Sequence, residues 1–161
     1  MRRWPIVALA TLALALAGGC DWLHGEPPPD EEVETPPEEP PADALEASLR
    51  ELGEERAPYM IRDGSPMRGE GAAGSARDFA HVMHPGWCYK LLGLGGEGVE
   101  DLDVRIYDPN DVLLQRDTTQ DRRPLLGRMR PICPPESGTY RVEARVVEGE
   151  GPFIVQVYRS I

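Results

Sequence analysis

Three histidines, His24, His81 and His84, are the only side chains of this sequence that could serve as the base of a Ser-His-Asp or Cys-His mechanism. His24 sits in a segment crowded with proline and acid, which leaves His81 and His84. The serines outside the first 56 residues, Ser65, Ser75, Ser137 and Ser160, lie in no nucleophile-elbow pattern. Spaced three apart at the end of an expected strand, His81 and His84 point to opposite faces and read as surface or turn residues rather than zinc ligands. The glycine run LGLGGEG lacks the Lys-Ser/Thr of a phosphate-binding loop, so its glycines read as a tight β-turn. The expectation is a protein that is not an enzyme, with no catalytic residue to name.

Binding chemistry is better represented. Glu100, Asp101, Asp103, Asp108 and Asp111 gather with Asn110 within about a dozen residues, and oxygen-rich loops of this kind can hold calcium. Their spacing is not that of an EF-hand. Strand alternation puts Asp101 and Asp103 on one face, where they either share a calcium ion or form a solvated surface beside Arg105. No other cofactor is called for. By the same parity Trp87, Tyr89 and Leu91 share a face, and Trp87 and Tyr89 either stack on a sugar or peptide or pack in or beside the core.

Strands must position these residues, because period-2 alternation dominates the chain after residue 56. Leu102, Val104 and Ile106 alternate with Asp103 and Arg105; Tyr140, Val142, Ala144 and Val146 alternate with Arg141, Glu143 and Arg145; Phe153, Val155 and Val157 follow. Such patterns predict antiparallel strands with one buried and one wet face. Further strands fit Phe79 to Met83, Trp87 to Leu94, Val112 to Asp117 and Leu125 to Ile132, with a weaker one at Tyr59 to Ile61. The turn DPND carries Asp108 and Pro109 in type I positions and predicts a hairpin. About eight short strands without helical periodicity predict an all-β fold, an antiparallel β-sandwich over residues 57–161.

The segment ahead of the sandwich is of another kind. The chain holds 17 Lys+Arg against 28 Asp+Glu, a formal charge of −11. Between Asp21 and Arg56 lie 13 acids and only two basic residues, so residues 57–161 are nearly neutral. Seven prolines fall between Pro27 and Pro41. Repelling carboxylates and polyproline II preference predict a disordered, extended tether over residues 20–42, with a reach on the order of 70 Å. Residues 43–56 predict a short amphipathic helix, with Asp43 as cap, Glu46 three residues on, and Leu45, Leu49 and Leu52 on one stripe. Docking on the sandwich or fraying are both open to it. The negative balance argues against nucleic acid as a partner and against charge-driven adhesion to anionic lipid.

At the N-terminus, Arg2 and Arg3 precede an apolar run from Ile6 to Ala17, too short for a permanent membrane span and of signal-peptide length. The stretch LAGGC that follows resembles the lipobox of bacterial lipoproteins, with Ala17 at the position where leucine is commoner. That resemblance implies a signal peptide over residues 1–19, a lipid such as palmitate on Cys20, and attachment to a membrane of the bacterial cell envelope. It leaves Cys88 and Cys133 in an oxidising compartment, where they pair and close a loop of about 46 residues, stabilising the fold by about 4 kcal/mol. Two reduced buried cysteines would instead require a reducing location.

The orders GWCYKLLGLGGEGVEDLDVRIYD and CPPESGTYRVEARVVEGEGPFIVQVY resemble the bacterial pre-peptidase C-terminal domain over about Arg77 to Arg159. The likeness rests on an aromatic strand after a glycine, an acid-x-acid pair opening the next strand, and a glycine-Tyr start to the penultimate one. It implies a jelly-roll-like sandwich acting as an accessory module, with calcium or polymer binding in some relatives. No peptidase precedes it here. The combined expectation is a lipid-anchored envelope protein whose sandwich binds a protein or polysaccharide; the alternative is an accessory subunit that grips substrate for a separately encoded exported hydrolase.

Overall fold

The computed structural model describes residues 42–161, so the expected signal peptide, Cys20 and the expected tether up to residue 41 lie outside the described residues. Within them one helix, α1 (Ala42–Arg56), precedes seven strands: β1 (Met60–Ala72), β2 (Ala76–Met83), β3 (Tyr89–Gly95), β4 (Val99–Tyr107), β5 (Leu113–Arg116), β6 (Leu125–Leu126) and β7 (Gly138–Ser160). Every strand pairing is antiparallel. The fold is the all-β sandwich expected.

Strand β7 is the spine. Its first half lies between β2 and β4, which begins a sheet that β5 extends; its second half lies between β1 and β3, in a sheet that β6 extends. The two strands expected at Tyr140–Val146 and Phe153–Val157 are thus one strand of 23 residues that serves both sheets. On one side of it β1 runs on into β2, and on the other β3 runs on into β4. All three arms fold over at the same level, around Gly74, Gly96–Gly98 and Gly149–Gly151.

Hydrogen bonds carry the ladder through this crease: Gly74 N–H donates to Val146 O at 2.8 Å, Gly96 N–H to Pro152 O at 2.7 Å, and Glu150 N–H to Gly98 O at 2.9 Å. Gly98 and Gly149 both have positive φ, 83° and 86°, which a residue with Cβ adopts only with strain. Space is denied as well, because a Cβ on Gly149 would fall on Gly98 O and one on Gly98 on Glu150 O.

Folding the arms over turns one face of each half inward. Leu91, Phe153, Val155 and Val157 meet Leu102, Val104, Ile106, Val142 and Val146 in the main core. The expected wet face exists on β4 and the first half of β7 but not on β3 and the second half, where Leu92, Leu94, Ile154 and Tyr158 are buried on the outer side as well. Helix α1 covers them. Leu49 is buried there, flanked by Leu45 and Leu52, so the helix docks rather than frays. Gly53 permits the approach, since a Cβ there would meet the Tyr158 hydroxyl. On the exposed side Glu46 receives hydrogen bonds from Arg62 and Arg68 of β1, which hold its carboxyl below the usual range.

Two other expectations changed in length. Of Tyr59–Ile61, Met60 and Ile61 begin the 13-residue β1, whose irregularity between Asp63 and Met67 masks its alternation. Leu125–Ile132 shrinks to β6 plus a single bridge between Ile132 and Tyr89. The DPND hairpin forms as expected: Asp111 N–H donates to Asp108 O at 2.9 Å, Asp111 sits at φ 64°, and β4 pairs with β5.

Because Gly74 shares the positive φ but has open space around it, the two glycines separate backbone strain from collision. Gly74→Ala is expected to cost about 1–2 kcal/mol. Gly149→Ala is expected to cost clearly more, read as a larger fall in Tm by circular dichroism; equal losses would show that the crease imposes no packing constraint.

Candidate functional site

Folding at the crease brings both ends of β7 together at the opposite end of the sandwich, and the loop from β2 to β3 crosses this mouth. Cys88 on that loop is bonded to Cys133, which fastens the segment after Ile132 across the opening. Cys88 N–H also donates to Ser160 Oγ at 3.1 Å and Ser160 N–H to Cys88 O at 2.8 Å, closing the loop onto the end of β7.

Polar residues end the core rows here. Asp63 of β1 lies 2.9 Å through Oδ2 from Nε2 of His81 on β2, so the pair joins the two sheets. Asp63 Oδ1 also lies 3.4 Å from Arg159 Nε. The Arg159 guanidinium stacks 4.0 Å from the centre of the Trp87 ring, and His84 meets that ring edge-on at 5.7 Å. Gln156 is buried and donates to Asp63 O and Gly64 O, holding the irregular part of β1 in place.

The mouth separates the two aromatic candidates. Trp87 is 36 % exposed, but one face is already covered by Arg159. Tyr89 has no exposure at all: its ring is part of the core, and its hydroxyl accepts a hydrogen bond from His84 N–H at 2.9 Å. Tyr89 therefore takes the packing role, and its assignment as a ligand-stacking residue is corrected. Strand parity held for Tyr89 and Leu91, both buried, but not for Trp87, which stands outside β3 and turns outward.

Catalytic parts are present but divided. Ser137 Oγ lies 3.1 Å from His84 Nδ1, whereas the carboxylate partner belongs to the other histidine, His81. A triad requires base, nucleophile and acid on one imidazole. Among the described residues no acid is hydrogen-bonded to His84. The Asp63–His81–Arg159 cluster escaped the sequence reading because its members are up to 96 residues apart on three strands; only the apolar periodicity was local enough to see.

Asp101 and Asp103 lie elsewhere, on the outer side of β4, where the chain between β5 and β6 folds over the sheet edge. Asp117 N–H donates to Val104 O at 2.8 Å and Leu102 N–H to Asp121 O at 3.2 Å. This covering buries Asp101 to 8 % exposure and leaves its Oδ1 without a hydrogen-bond partner. Burial first, then the nearby Asp103 and Asp117 charges, push the Asp101 carboxyl above the usual range; burial also pushes Asp103 up, against Arg105. Asp117 is satisfied by the hydroxyl and N–H of Thr119. Among the described residues no three His, Cys, Asp or Glu side chains are grouped as a metal centre.

No family model matches the chain, and no curated protein matches it.

A carboxyl whose pKa is raised by folding contributes stability that is present below the unfolded-state value and lost as pH rises through the raised one. Asp101→Asn is therefore expected to flatten the fall of Tm between acidic and neutral pH and to stabilise the protein at pH 7 by on the order of 1 kcal/mol. If Asp101 and Asp103 instead held calcium, the wild-type Tm would rise on adding calcium and the substitution would abolish that rise.

Proposed function

We propose that the chain is a lipid-anchored protein of the bacterial cell envelope whose β-sandwich is a binding module rather than an enzyme. The observation that carries this reading is the arrangement of its cysteines. Cys88 and Cys133 are bonded to each other. A structural disulfide of this kind belongs to an oxidising compartment, and it leaves Cys20, directly after LAGG, with no cysteine partner in the chain and free for lipidation. The acidic, proline-rich residues 21–41 then act as a spacer between the lipid surface and the folded part, which begins with α1.

The mouth of the sandwich is the presented surface in this reading. It is held by a disulfide and by polar contacts between the sheets, it exposes Trp87 beside Arg159 and His84, and it suits a protein or polysaccharide ligand. The split of Ser137 and Asp63 between two histidines supports binding over hydrolysis. The likeness to the pre-peptidase C-terminal module belongs to the same reading, and the antiparallel β-sandwich supports it.

Labelled fatty acid is expected to enter the wild-type protein in cells and not the Cys20→Ser variant, which should leave the membrane fraction or accumulate as precursor. Equal labelling and equal membrane retention of the two would overturn the anchor.

A further inference from the structure

Arginine is distributed unevenly over the sandwich. Arg62, Arg68, Arg105, Arg141, Arg145 and Arg159 are all engaged in ion pairs. By contrast Arg116, Arg122, Arg123, Arg128 and Arg130, five arginines within a stretch of 15 residues, are exposed and form no ion pair among the described residues. That stretch wraps the sheet edge next to α1. It is pinned in place by main-chain bonds from Gly93 N–H to Pro124 O at 2.9 Å and from Gly95 N–H to Arg122 O at 2.7 Å. Gln115 ties down its far end, donating to Arg130 O at 2.8 Å and accepting from Gly127 N–H at 3.0 Å.

Where this stretch meets the last turn of the helix there is a recess of about 110 Å³. Arg56 from α1 and Arg123 and Arg128 from the stretch line it, above an apolar floor of Leu52, Leu92 and Leu125. Lys90 is adjacent: its Nζ donates to Arg56 O at 3.1 Å and its stem packs where Gly127 leaves room. Four cations from three distant segments converge on this place. Asp117 and Asp121 line it too, accepting from Thr119 Oγ1 at 2.7 Å and from Arg123 N–H at 2.6 Å, and the four cations outnumber them. Of the three guanidiniums only Arg56 has an ion pair, an exposed one with Glu55, and such pairs are weak competitors for a ligand.

We propose that this recess binds a phosphate-type oxyanion. Its volume is far below the several hundred Å³ of a pocket for a drug-sized molecule and suits a single tetrahedral group. Planar guanidiniums offer paired donors that match phosphate oxygens. The apolar floor lowers the local dielectric and strengthens each contact. The total charge of −11 conceals the site, because residues 21–56 carry a net charge of that size by themselves while residues 57–161 are nearly neutral. A free phosphate ester and a phospholipid headgroup offer the same chemistry, and the site stands independently of the anchor on Cys20.

The test uses the full chain as its non-lipidated Cys20→Ser form, so that no acyl group contributes to vesicle binding. Inorganic phosphate, titrated against chloride at constant ionic strength, is expected to raise the Tm by a few degrees in a saturable manner. Arg123→Ala/Arg128→Ala is expected to keep the Tm in chloride and lose the phosphate response at least tenfold in midpoint, while Arg50→Ala/Arg77→Ala keeps it. Sedimentation with phosphatidylglycerol vesicles but not phosphatidylcholine vesicles, abolished by the first variant, assigns the site to headgroups; a phosphate response without such sedimentation assigns it to soluble phosphate. No phosphate response in the parent chain, or an equal response in parent and Arg123→Ala/Arg128→Ala, overturns the proposal.

Discussion

Strand β7 hydrogen-bonds to four other strands, β1 and β3 along its second half and β2 and β4 along its first, and the sandwich exists because all three arms fold at one level. The crease satisfies two opposing requirements. The ladder must continue so that no backbone group is buried unpaired, and the chain must turn sharply enough to bring the apolar faces together. Gly98 and Gly149 meet both, by adopting backbone angles closed to other residues and by letting two main chains approach where a Cβ would collide. Everything at the mouth follows from this. The ends of β7, the β2–β3 loop and the disulfide come together there only because the sheet is folded at its other end.

The second determinant is the cover on the β1–β7–β3 side. A sheet in a sandwich normally keeps its outer face in water, but Leu92, Leu94, Ile154 and Tyr158 make this face apolar and require α1 above it. Helix and sheet depend on one another, since a single helix of 15 residues with a narrow leucine stripe has little stability alone. The helix also supplies Arg56 to the cationic recess, so the element that covers the outer face contributes to a polar surface of the same domain.

Electrostatics are organised at short range. Charge summed over the chain is strongly negative, yet the folded part combines a buried, unsatisfied Asp101, an inter-sheet Asp63–His81 pair and an unpaired arginine stretch within a few elements of each other. Each arises from a segment folded over a sheet edge or mouth. With a Debye length of about 8 Å in physiological salt, these local arrangements decide what a ligand encounters more than the charge summed over the chain does.

Alternation at Leu102–Ile106 and Tyr140–Val146, and the turn chemistry of DPND, determined the strand class, the inward rows and the β4–β5 hairpin, because side-chain parity and turn preference act over a few residues. The pairing of Cys88 with Cys133 was expected once the lipobox likeness set Cys20 aside, and the structure joins them. The joining of two expected strands into β7, the length of β1 and the docking of α1 depended on which surfaces met after the sheet folded, and the runs LLGL and FIVQVY, apolar on both faces but for Gln156, were the faint local trace of that cover. The exposure of Trp87 against the burial of Tyr89, two residues apart, was decided by the end of β3 and the crossing loop. Burial, unlike parity, is a property of what lies opposite, and residues far apart in the chain supply what lies opposite. For the same reason the Asp63–His81–Arg159 cluster and the Arg56–Arg123–Arg128 recess belong to the tertiary structure alone.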